Sequence, residues 1–123
     1  MKFSLENDYA DFIIRAYEPG RIVVNDITFT QSLAITPEQL IQDWPPQNFQ
    51  ALQSSHLQQL IETETEIVLL GTGSQIQFPG PELQAIVMGC GIGLEVMDTE
   101  AACRTYNILS AEGRKVTAAL IMT

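Results

Sequence analysis

The chain has 123 residues, the length of a single domain over 1–123. A chain this size buries roughly two thirds of its unfolded surface, enough for a core without metal or disulfide staples. Apolar residues make up 46% and charged residues 17%, which excludes a disordered segment, and 15 acidic against 6 basic residues give a net charge of −9, which excludes a general nucleic-acid binder.

In chain order, Met1 to Asp8 reaches acid before any long apolar run, the pattern of neither a secretory signal nor an Arg-rich transit peptide. The longest apolar runs, such as Ala118 to Met122, fall far below the roughly 18 residues of a membrane span. The expected location is therefore the cytoplasm. Asp11 to Tyr17 is a β-rich run closed by the turn residues Glu18-Pro19-Gly20. Arg21 to Val24, Asn25-Asp26 and Ile27 to Phe29 then read as a tight hairpin. With Gln31 to Ile35 as a further strand, the first third is predicted to be an antiparallel meander. Thr36-Pro37-Glu38 reads as a helix start, with a capping hydroxyl, proline at the first helical position and then acid, stopped at Trp44-Pro45-Pro46. Phe49 to Leu52 is ambiguous. Ser55 with Gln58 fits a capping box, and Leu57, Leu60 and Ile61 share a face, predicting a helix over about 55–64.

The remainder alternates strand and helix. Glu66 to Leu70 is a continuous apolar run, as in a strand covered on both faces, and Gly71-Thr72-Gly73-Ser74 breaks it. Pro81-Glu82-Leu83 opens a helix with Leu83, Ile86 and Val87 on one face and Gly89 as its C-cap. Ile92 to Met97 is a second strand. Asp98 or Thr99 caps a helix to Ala111 that Gly113 ends, and Lys115 to Met122 is a third strand. This order predicts an α/β domain whose C-terminal half is a parallel βαβαβ unit with right-handed crossovers.

Ligands of an open parallel sheet gather beyond the carboxyl ends of its strands. Two such ends are Gly71-Thr72-Gly73-Ser74 and Met97-Asp98-Thr99. The first matches neither GxGxxG nor a Walker sequence, so it reads as a tight turn before it reads as a ligand cradle. Asp98 and Thr99 read as an ordinary helix cap before an anion site. Glu100 and Arg104 are spaced for an i,i+4 ion pair, with Asn107 on the same face and Ala102, Tyr106 and Leu109 on the opposite core face. The alternative is that Arg104 reaches the rim and binds a carboxylate or a partner. Glu95 lies mid-strand between Leu94 and Val96. It is either a buried acid with a raised pKa, hence an acid/base candidate, or a half-wet surface residue.

His56, the one histidine, is expected in the exposed first turn of its helix, and Cys90 and Cys103 as reduced, buried thiols. These three residues cannot supply a four-ligand structural zinc site, and no cofactor is implied. No Lys or Arg occurs between Arg21 and Arg104, an interval that holds ten acids, while Arg104, Arg114 and Lys115 are bunched near the C-terminus. An acidic shell with one small basic spot is expected. It serves solubility or offers a face to a basic partner.

Two stretches carry a resemblance. Ile67 to Gly73 contains Leu69-Leu70-Gly71-Thr72-Gly73, and Gly91 to Leu109 contains Met97, Thr99, Ala102, Thr105, Tyr106, Asn107 and Leu109 in fixed spacing. Both resemble the family that includes the mitochondrial respiratory complex I assembly factor 3 and small bacterial and archaeal proteins of unknown function. Ser32-Leu33 and Thr36-Pro37-Glu38 are similar to its N-terminal pattern. The resemblance implies a three-layer α/β domain with a mixed central sheet. It also implies a role in assembly beside another protein, with no catalytic residues to carry over. Without a mitochondrial presequence, the chain resembles the bacterial or archaeal members.

The expected function is a non-catalytic protein-binding or assembly module, cytoplasmic or held at a membrane through a partner. Its partner, not a nucleic acid, is a respiratory-complex subunit or another assembly factor. The partner surface is expected at Gly71, Thr72, Gly73, Ser74 and at Met97, Asp98, Thr99, Arg104. The alternative is a small-molecule-binding protein or enzyme with a pocket between the 71–74 and 97–104 loops, using Glu95, Asp98 and Arg104. Both need a topology that brings the two segments to one rim.

Overall fold

The computed structural model describes residues 9–122, so the reading of Met1 to Asp8 lies outside the described residues. The meander forms over three strands, β1 (Ile14–Glu18), β2 (Arg21–Val24) and β3 (Ile27–Phe29), as an antiparallel sheet in that order. Val24 and Ile27 pair across Asn25-Asp26, and Asn25 sits in the left-handed region at φ 52°. Asparagine tolerates that region better than most residues. Its side chain then ties down the entering chain: Oδ1 accepts the Ile13 N–H at 3.0 Å and Nδ2 donates to the Asp11 carbonyl at 3.0 Å.

The fourth strand departs from the meander. β4 (Leu33–Ile35) pairs antiparallel with β8 (Val116–Leu120) instead, in a second sheet completed by β5 (Leu40–Ile41), β6 (Ile67–Gly71) and β7 (Gly93–Met97). The order of that sheet is β5-β4-β8-β6-β7. Leu33, Ala34 and Ile35 are all fully buried, which a strand achieves only in a sheet covered on both faces. The helix expected after Thr36-Pro37-Glu38 is absent. Thr36 Oγ1 accepts the N–H groups of Glu38 at 3.1 Å and Gln39 at 2.8 Å, and the chain turns straight back into β5. A threonine hydroxyl closes a turn with the same bonds it would use to cap a helix.

Phe49–Ala51 resolves as a single 3-10 turn capped by Asn48. Helix α1 spans Ser54–Ile61, α2 spans Pro81–Met88 and α3 spans Thr99–Ala111. The first begins before the Ser55–Gln58 box expected for it: the Gln53 N–H, at the cap, donates to His56 Nδ1 at 3.0 Å. Gly89 closes α2, and Asp98 caps α3 by accepting the Ala101 N–H at 2.8 Å. β6 pairs parallel with both β7 and β8, as the strand–helix alternation predicts.

Period-two alternation along β6 sends Val68 and Leu70 to one face and Leu69 to the other. The first face packs with Ala34, Ala119 and Ile121 against Leu57 and Leu60 of α1, Val87 of α2 and the fully buried Trp44. The second packs with Leu33, Ala118 and Leu120 against Ala102, Cys103 and Tyr106 of α3 and against Ile14, Ile22 and Val24 of the meander. The domain is thus three layers: α1 with α2, the mixed sheet, and α3 with the small sheet.

α3 is covered by sheet on two sides, and this corrects the expected exposure of Asn107. That residue is only 3% exposed. Its Oδ1 accepts the Ile14 N–H at 3.1 Å and its Nδ2 donates to the Ile14 carbonyl at 2.7 Å. Next to it, the Tyr106 hydroxyl donates to the Phe12 carbonyl at 2.6 Å. Burial pushes the Tyr106 phenol well up from its ordinary value. The Tyr106-Asn107 pair therefore works as a clip that holds the start of β1 on α3.

Candidate functional site

The two segments expected to share a rim do so. Thr99 Oγ1 accepts the Gly73 N–H at 2.8 Å and donates to the Ile121 carbonyl at 2.6 Å, while the Thr99 N–H donates to the Gly73 carbonyl at 2.9 Å. The Thr72 N–H donates to the Met97 carbonyl at 2.9 Å. The Thr72 hydroxyl donates to the Gln75 carbonyl at 2.8 Å and accepts the Gln77 N–H at 3.0 Å, so one buried side chain organises the loop after β6. Gly73, at φ 103°, takes a backbone conformation that a side chain would strain.

The rim is closed. A Cβ added at Gly71 would lie 3.0 Å from Thr99 Cα and 3.1 Å from Ala102 Cβ, so α3 rests directly on the end of β6. Gly71, Thr72, Gly73 and Thr99 are buried, Met97 and Asp98 are half-buried, and Ser74, Glu95 and Arg104 are exposed. Among the described residues, the cleft around Thr63 and Thr117, at the opposite pole, is lined by neither loop. The capping reading of Asp98 holds, since its carboxylate already takes a first-turn amide. Burial raises the Tyr17 phenol, and the neighbouring Cys103, Glu100 and Asp98 raise it further, placing β1 beside the start of α3.

Arg104 donates to Glu100 at 2.8 Å, the surface pair its spacing predicts. Arg114 binds Glu66 at 2.8 Å near the other end of α3. Seven helical steps at 1.5 Å each put roughly 10 Å between Arg104 and the end of α3 at Ala111, and Arg114 lies beyond that end. The single basic spot expected from the sequence is therefore two separate ones. Arg114 holds the exposed Glu66 carboxyl below its ordinary range. Glu95 is exposed, on the edge strand β7, so the wet-surface reading of that residue applies.

Sequence reasoning missed two features. The loop after Ser74 exposes Ile76 (50%) and Phe78 (68%), and α3 exposes Ile108 one turn beyond Arg104. The available signal was apolar side chains in a Gln- and Pro-rich stretch without helical or strand period. A cleft of about 250 Å³ also opens at the opposite pole, lined by Tyr9, Thr36, Glu38, Glu64, Arg114 and Lys115 among others. Its Thr63 and Thr117 hydroxyls bond each other at 2.8 Å.

His56 lies in the first turn of α1, its ring edge-on to Trp44 with centroids 6.3 Å apart, and burial lowers its pKa. Cys103 is buried, and burial pushes its thiol well up; Cys90 is exposed, which corrects the expectation that both thiols are buried. Its place in the turn between α2 and β7 leaves it nothing to pack beneath. Alkylation of the native protein is expected to modify Cys90 and to spare Cys103 until the chain unfolds. Peptide mapping by mass spectrometry reads the outcome, and native labelling of Cys103 would contradict its burial.

Fold and rim define a class: a small three-layer α/β domain whose strand-end loops are hydrogen-bonded to one another. The chain belongs to the protein family of unknown function DUF498/DUF598, whose model matches residues 14–121. It is similar to a protein from Bordetella parapertussis of known crystal structure, with 40% identity, a TM-score of 0.87 and coverage of 94% of this chain and 99% of that one. It is 28% identical over 122 residues to a "13 kDa major membrane protein" of Francisella tularensis, covering 98% and 99% of the two chains. It is 31% identical over 120 residues to the NADH dehydrogenase [ubiquinone] 1 alpha subcomplex assembly factor 3 of Xenopus tropicalis, covering 95% of this chain and 65% of that one. The chain thus spans less than two thirds of that relative's length. Among the described residues no helix is long and apolar enough to cross a membrane.

Proposed function

We propose that this chain is a non-catalytic protein-binding module that helps assemble a larger complex, and that it works in the cytoplasm or against a membrane through its partner. The observation that carries the reading is the closed rim. Gly71 to Gly73 and Thr99 are spent on internal bonds, and what they hold outward is a surface: Ser74, the exposed Ile76 and Phe78, and the Glu100–Arg104 pair. Exposed apolar side chains on a loop pinned by buried hydroxyls are ordered before binding, which lowers the entropy lost on docking. The relative named as a complex I assembly factor supports a partner that is itself a respiratory-complex subunit or assembly factor.

Arg104→Glu tests the reading. The exposed Glu100–Arg104 pair contributes only a few tenths of a kcal/mol to the fold. The variant is therefore expected to keep its Tm within about 2 °C while losing most of a partner that co-purifies with the wild type. Full retention of that partner would count against the assignment of the rim.

A further inference from the structure

The mixed sheet ends on β7, and among the described residues nothing pairs with its outer side. The bonds it makes to β6 fix which backbone groups are left. The Gly93 N–H donates to the Glu66 carbonyl and the Met97 carbonyl accepts from Thr72. In a parallel ladder alternate residues face the same neighbour, so Gly93, Glu95 and Met97 bond β6, while Leu94 and Val96 turn both N–H and C=O outward. The side chains are sorted equally clearly. Leu94 and Val96 lie half-buried on the α2 face, packed against the core cluster there. Gly93 and Glu95 lie exposed on the α3 face.

We propose that the outer edge of β7 is a docking site for one extended segment of a partner protein, with apolar side chains on the α2 face and a lysine or arginine opposite Glu95. The proposal rests on the protein-binding reading above and names its mode, addition of a strand to an open sheet edge. Charge selects the occupant. Glu95 is exposed and in no ion pair among the described residues, while the nearby Glu100 is already paired with Arg104. A basic strand is attracted, whereas like charges directly opposite one another on paired strands repel. The same rule disfavours a second copy of this chain. Full-length antiparallel pairing of β7 with itself is centred on Glu95 and sets that carboxylate against its own copy. An inward or central charge on an edge strand is a common defence against self-pairing.

The test uses the full-length protein, isotopically labelled, and two capped seven-residue peptides that alternate valine with lysine or valine with glutamate. The lysine peptide is expected to bind saturably, shifting the Leu94 and Val96 amides and slowing their exchange, with little change at Gly93, Glu95 and Met97. The glutamate peptide is expected to bind about tenfold more weakly, and Glu95→Lys to reverse that order. Val96→Pro removes an outward N–H without touching the β6 ladder, which edge strands tolerate, and is expected to abolish binding. Three results would overturn the proposal: no saturable change at Leu94 and Val96, equal affinity for both peptides in the wild type, or self-association of the wild type with protection of those two amides. The Arg104→Glu measurement scores the underlying reading separately, because the partner can be held at the rim with the β7 edge left open.

Discussion

Replacing Thr99 with valine is expected to destabilise the domain by about 3 kcal/mol. The substitution keeps the shape of the side chain and removes only its hydroxyl. That hydroxyl is fully buried and serves two backbone groups, the Gly73 N–H at 2.8 Å and the Ile121 carbonyl at 2.6 Å. Leaving a buried donor or acceptor without a partner costs about 1–3 kcal/mol each, more than the net contribution of the bond itself. Some relaxation of the loop offsets part of the sum. A loss of this size lowers the Tm of a domain of this length by roughly 10–15 °C. In urea it shifts the midpoint at constant slope. Thr99→Ser keeps the hydroxyl and is expected to recover most of the loss. A valine variant within about 1 kcal/mol of wild type would show that the hydroxyl does not join the loops.

Asn107→Leu is expected to cost a similar amount, about 3 kcal/mol, with a different signature. Leucine has nearly the same bulk, so the effect isolates the amide. The Ile14 N–H and carbonyl both lose their partner at a site that is 3% exposed. Because the amide joins α3 to the meander, the damage is local first. Hydrogen exchange at Ile14 and along β2 is expected to accelerate before that of β6 and β8, which lie in the middle of the other sheet. Uniform acceleration across both sheets would contradict a clip-like role. Asn107→Asp keeps an acceptor for the Ile14 N–H but loses the donor and brings a buried charge, so it is not expected to rescue the protein.

What the sequence made legible follows from locality. The run at Ile67 to Leu70 is apolar without alternation, which already requires cover on both faces. The Asp98 cap, the Asn25-Asp26 turn and the Glu100–Arg104 pair each need only a few neighbouring residues, and all three formed. Thr36 was misread because its local chemistry is the same at a helix start and in a hairpin turn; the choice was made by β5 pairing with β4. Asn107 was misplaced because its partner, Ile14, stands 93 residues away. The meeting of Gly71–Gly73 with Thr99 at one rim followed from parallel topology. That α3 packs tightly there followed only from the contact of Gly71 with its backbone. The exposure of Glu95 depended on strand order, which periodicity does not encode.

The central position of β8 has a consequence for how the chain is made. Leu33 pairs with Leu120, and Ile67 with Val116, so among the described residues the two halves of the mixed sheet are hydrogen-bonded to each other only through β8. On the ribosome, β5 with β4 and β6 with β7 emerge as separate fragments with open edges and no shared core. They wait for Val116–Leu120 to leave the exit tunnel. Pairings of such long sequence separation are expected to slow folding and to leave the two fragments' edges open in the meantime.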